Sequence, residues 1–78
     1  DHHQMLQDLA ANIGETISQQ VFHDILQMLH EEKLLTKRET QLFFATTSDE
    51  VLGRDALIIR ANMLKKIIQQ VDRKGNTD

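Results

Sequence analysis

Thr47–Arg73, TSDEVLGRDALIIRANMLKKIIQQVDR, is the most apolar and most plainly helical stretch of this 78-residue chain. It opens on Thr47-Ser48-Asp49-Glu50, which fits an S/T-x-x-E capping box. In that reading the Thr47 hydroxyl accepts from the amide of Glu50, and the Glu50 carboxylate accepts from the amide of Thr47. Arg73 and Lys74 give a basic last turn, and Gly75 follows as a stop. At about 100° per residue, Leu52, Ala56, Ile59, Met63, Ile67 and Val71 form one seam. Leu57, Ala61, Leu64 and Ile68 widen it. The apolar arc covers roughly half the circumference, against the ~100° stripe of an ordinary surface helix. A face that wide predicts a neighbour inside the chain and a second from outside it.

Arg60 falls inside that arc. Its stem lies along apolar neighbours with the head in water, or it is a buried or interface arginine paired with a carboxylate, or it contacts nucleic acid. Asp24 is the candidate partner. If the two long helices are antiparallel, the later half of the first faces the start of the last, which brings Asp24 and Arg60 to one height.

From Met5 to Glu32 the pattern is again helical. Leu6, Ala10, Ile13, Ile17, Val21, Ile25 and Met28 recur at steps of 4, 3, 4, 4, 4 and 3. Leu9, Phe22, Leu26 and Leu29 flank that line. The spacing exceeds the 3.5 of a heptad seam, so nearly straight helices are expected, not a long left-handed coiled coil. A 28-residue helix would run about 42 Å. Gly14 marks a bend or a close approach of another backbone. Thr36-Lys37-Arg38-Glu39 is a second capping box, opening a short helix that carries Leu42, Phe43 and Phe44. The expected architecture is one all-α domain over residues 1–78. It is an antiparallel hairpin of long helices at about 4–32 and 48–73, a connecting helix at 37–45 and a polar tail at 75–78. DHHQ at the start reads as a frayed terminus.

Composition narrows the function. The chain has no Cys, hence no disulfide or thiolate metal site. Ser18 and Ser48 lack a glycine elbow, no Gly-rich loop follows a strand, and no carboxylate pair faces a pocket. No catalytic, cofactor-binding or metal site is expected, and no enzyme. His2 and His3 make a poor metal site without further fixed ligands, and His23 and His30, seven apart, cannot chelate alone. No apolar run reaches the length of a membrane span, and the start lacks the pattern of a signal peptide. Net charge is −3, distributed unevenly. Residues 1–32 carry six acids and no Lys or Arg; residues 33–78 carry nine Lys and Arg against six acids. The halves suit two helices lying side by side, and they weaken a nucleic-acid reading because the chain neutralises its own cations.

The stretch ATTSDEVLGRDALIIRANMLKKIIQQVDRKG resembles the last helix of small helical accessory proteins of tailed phages, over residues 20–75. That resemblance implies a virion or assembly component and carries over no functional residue. TTSDEVLGRDALIIRANMLKKII is also similar to the ending of the enterobacterial biofilm-development and connector family, small helical dimers linked to regulation. The segment Thr36–Thr46 is shorter than that family's middle helix. The resulting expectation is a non-enzymatic structural or interaction protein, in the cytoplasm or a virion, pairing with itself or with a larger protein. Its surface would combine Phe43, Phe44, Leu57, Arg60, Leu64 and Ile68. The alternative is a small dimeric regulator that binds nucleic acid or a DNA-bound regulator.

Overall fold

The computed structural model describes residues 2–75, and every regular element among them is helical. In order these are α1 (His2–Ala11), α2 (Gln19–Glu31), α3 (Lys37–Thr46), α4 (Asp49–Leu52), a 3-10 turn (Gly53–Asp55) and α5 (Ala56–Gly75). The all-α class and the helix at 37–45 hold. The two long rods do not, because each is interrupted.

The first rod breaks over residues 12–18. At the end of α1 the Asn12 side chain donates to the Asp8 carbonyl at 2.9 Å, and the Ile13 amide donates to Ala10 at 3.2 Å. Ser18 then caps α2: its backbone is extended, and its hydroxyl oxygen accepts from the Val21 amide at 3.2 Å. Gly14 lies in the break, but no other backbone approaches it, since a Cβ there would meet nothing within 4 Å. The physical reason for the break is burial. A rod of about 42 Å would outrun α5, whose 20 residues span about 30 Å, leaving its first turns without a core. Folding back lets α1 bury Leu6 to 1% exposure.

The contacts give the directions. His3 Nδ1 meets Asp72 at 2.7 Å at one end of α5, and the Ile17 amide donates to the Leu57 carbonyl at 3.1 Å near the other. So α1 is antiparallel to α5. His2 Nε2 lies 3.2 Å from Glu32, just past the end of α2, so α2 runs parallel to α5. Helix α3 returns, with Glu39 3.9 Å from Lys74 and the Thr47 carbonyl at Arg60. The chain is thus an up-down-up-down arrangement of α1, α2, α3 and α5. The start of the chain is not frayed at His2 and His3, which tie α1 to both neighbouring helix ends. Asp1 and the tail at 76–78 lie outside the described residues.

The turns show how local chemistry sets these reversals. Lys33 has φ 63°, its amide donates to His30 at 2.9 Å, and the Leu34 amide donates to Leu29 at 2.9 Å. That is a Schellman end to α2 with a lysine where glycine is usual. The Thr36–Glu39 capping box forms as expected, with the reciprocal bonds at 3.0 and 2.9 Å. The expected box at Thr47 does not. Ser48 is the cap, accepting from the Val51 amide at 3.3 Å, while the buried Thr47 hydroxyl donates back to the Phe43 carbonyl at 2.6 Å. Gly53, at φ 74° and ψ −144°, ends α4 in a backbone conformation that disfavours any side chain.

The core fills the space between α5 and its neighbours. Phe22, Leu26, Leu29, Ala61 and Leu64 are all at 0% exposure, and Ile68 is at 2%.

Candidate interaction surface

Helix α2 carries apolar residues over more of its circumference than α5 and α3 cover. Phe22, Leu26 and Leu29 point into the core. Val21, Ile25 and Met28, at i, i+4 and i+7, form a second stripe beside it. Val21 is 45% exposed, and Ile25 and Met28 are half-buried. Helices α1 and α2 both lean on α5 and scarcely touch each other. Between them runs a groove of about 280 Å³ lined by Leu9, Asn12, Ile13, Ile17, Val21 and Ile25. No charged side chain lines it. The groove is open and lined chiefly by apolar side chains.

One rim of the groove is anchored from beneath. Ile17, the buried residue of the 12–18 linker, is bonded to α5 by both of its backbone groups. Its amide donates to the Leu57 carbonyl at 3.1 Å, and its carbonyl accepts from Arg60 Nη1 at 3.2 Å. Arg60 is itself at 0% exposure. Its Nε and Nη2 donate to the Thr47 carbonyl at 3.0 and 2.9 Å, and Nη2 pairs with the Asp49 carboxylate. A buried guanidinium needs this degree of satisfaction. The structure therefore places Arg60 in the core, not in water.

Its expected partner was Asp24, and that pair does not form. Asp24 is exposed and accepts from Gln20 Nε2 at 3.0 Å. The break at 12–18 is the cause: α2 runs parallel to α5, and its core side presents Phe22 and Leu26 to α5 while Asp24 faces out.

The expected surface on α5 also divides. Leu64 and Ile68 are core residues covered by the chain's own helices, as is Arg60. Folding the first rod into two helices gives α5 enough company to bury its wide face without another molecule. Leu57 is 49% exposed, near the linker. Phe43 packs half-buried against the core, and Phe44 stacks on His23 with ring centroids 3.9 Å apart. The groove residues Leu9, Ile13, Val21 and Ile25 were visible in the first-helix periodicity. That periodicity does not say which side of α2 remains open.

Among the described residues no group of three or more His, Asp or Glu side chains is placed to hold an ion. His30 Nδ1 lies 2.9 Å from the Leu35 carbonyl. No helix among the described residues is long and apolar enough to cross a membrane.

Residues 1–69 match the family model described as the CtsR C-terminal dimerization domain. The chain belongs to that family. A curated relative, the transcriptional regulator CtsR of Staphylococcus aureus (strain bovine RF122 / ET3-1), is 35% identical over 63 residues, covering 77% of this chain and 41% of the relative. The CtsR-type chain thus spans less than half the length of the curated relative it matches. No solved structure matches it. Family membership overturns the phage resemblance, and with it the reading as a virion or assembly component: the similarity is to a bacterial transcriptional regulator. The regulator alternative agrees with the family. The phage likeness rested on helix order and apolar spacing, which many small helical proteins share.

Proposed function

We propose that this chain is the self-association module of a transcriptional regulator, and that two copies pair through the α1–α2 groove and the Val21–Ile25–Met28 stripe of α2. The observation that carries the reading is the coincidence of an uncovered, uncharged apolar groove with a family described by its dimerisation. A second copy suits the site on size. A standard interface takes about 800 Å² per partner, roughly a seventh of this chain's 5442 Å² surface. That is more than the groove alone supplies, so the contact runs along α2 from Val21 to Met28.

The role is assembly, not catalysis. Pairing fixes the distance between two DNA-contacting parts of a regulator, so that a two-fold protein meets a two-fold DNA site. The DNA contacts themselves come from elsewhere in such a regulator, since the groove holds no cation and the chain is net acidic. A regulator of this kind works in the cytoplasm, beside the DNA. Sedimentation across a concentration series tests the reading. The chain sediments as a dimer, and Val21→Asp sediments as a folded monomer. A monomer at every concentration for the unaltered chain refutes it.

A further inference from the structure

We infer that Arg60 is a positioning residue for self-association: its guanidinium holds the 12–18 linker in the one arrangement that forms the groove. This rests on the reading of the groove as the pairing surface.

The argument begins with the linker. Seven residues outside any helix have many alternative paths. What selects one path is Ile17, held at both backbone groups on a single turn of α5, by the Leu57 carbonyl and by Arg60 Nη1. The next residue, Ser18, is the cap that starts α2. Fixing Ile17 therefore fixes where α2 begins, and so the placement of Val21 and Ile25 opposite Leu9 and Ile13. Ile17 itself lines the groove.

Arg60 is held in turn from its other edge. Two of its N–H groups converge on the Thr47 carbonyl, and Asp49 supplies the counter-charge. One planar cation thus joins the corner between α3 and α4 to the linker between α1 and α2. Only a guanidinium does this, because its donors diverge in one plane. A lysine ammonium at the same position keeps the charge but cannot span both carbonyls. The Asp49 side chain is 70% exposed and does not line the groove, so it reaches the pairing surface only through Arg60.

The consequence is a coupling between this buried strut and pairing affinity. Without it the groove is formed in only a fraction of molecules. The apparent affinity falls by that fraction in each copy. If the ordered groove drops to about one-third of the population, a pair that needs it twice weakens roughly tenfold.

The test compares Arg60→Lys, Asp49→Asn and Val21→Asp by sedimentation equilibrium, with amide hydrogen exchange on each. Arg60→Lys and Asp49→Asn are expected to weaken pairing, the former about tenfold or more. Exchange should quicken at Ile17 and Val21 while Leu64 and Ile68 stay protected. If Arg60→Lys does not fold, Asp49→Asn alone decides. Wild-type dissociation constants for both, with Val21→Asp monomeric, overturn the role of Arg60 and leave the groove standing. Uniform loss of protection through α5 also overturns it, since the residue then serves the whole fold. Unchanged pairing in Val21→Asp removes the groove reading, and this inference with it.

Discussion

Replacing Val21 by Asp separates pairing from folding, because the site is half open and sits at a favourable place on its helix. Val21 is 45% exposed in the single chain. Full burial of such a side chain is worth about 1.5–3 kcal/mol, so covering the remaining part contributes about 1 kcal/mol. A two-fold pair uses the position twice. The apolar loss alone is then about 2 kcal/mol, roughly a thirtyfold weaker dissociation constant. A carboxylate adds its own desolvation, several kcal/mol per ion after relaxation, which takes pairing out of reach. Within the monomer the same change is mild. Val21 lies in the first turn of α2, after the Ser18 cap, where negative charge is favoured by the helix dipole. Thermal melting followed by circular dichroism should therefore show a folded helical protein, while sedimentation shows half the mass. Leu42→Asp is the control: Leu42 is 60% exposed on α3, outside the groove, and its replacement leaves the dimer intact. Dimeric Val21→Asp, or loss of pairing in Leu42→Asp, would refute the placement of the surface.

Three further outcomes follow from the fold. Leu26 is at 0% exposure between α2 and α5, and Leu26→Ala should lower unfolding free energy by about 2–5 kcal/mol in urea titration. Lys33 occupies a left-handed conformation at the end of α2, so Lys33→Gly should raise stability by roughly 0.5–1 kcal/mol, seen as a later urea midpoint. Glu39 titrates below the usual carboxylate range, chiefly because the Thr36 amide donates to it. Slight burial opposes this, and the Thr36 hydroxyl and Lys74 ammonium add to the lowering. Its folded value lies below its unfolded one. The stability it contributes is therefore fully present above about pH 4.3 and is lost as pH falls through the lower folded value. Glu39→Gln should flatten that acid limb in urea midpoints measured against pH, and an unchanged limb would show that Glu39 contributes nothing to it.

Much of the local structure was legible. The Thr36–Glu39 box needs only a hydroxyl, a carboxylate and three residues between their backbones, so it forms as read. The apolar periodicity placed Phe22, Leu26, Leu64 and Ile68 on apolar faces, because side chains at helical spacing share a face whatever they meet; that Leu64 and Ile68 turn inward and not toward a partner was not in it. Of the break at 12–18 the sequence offered only a bend at Gly14, for the same reason. Ile13 and Ile17 continue the spacing through it, although Ile13 lines the open groove and Ile17 alone of the linker is buried. Thr47 and Ser48 both satisfy the rule for a cap. The choice of Ser48 follows from Thr47 lending its carbonyl to Arg60.

By itself the sequence determined that the chain is helical, which faces are apolar, and that Arg60 lies among apolar residues. These follow from neighbours a few residues apart. It also held the full stripe of the candidate site in Val21, Ile25 and Met28. The tertiary structure decided which apolar face is covered and which is open. It also set the partner of Arg60 as Asp49 and not Asp24, and the direction of α2 along α5. Those outcomes depend on where the first rod breaks and folds back. That is settled by how much surface the whole chain can bury at once, which no local window of residues contains.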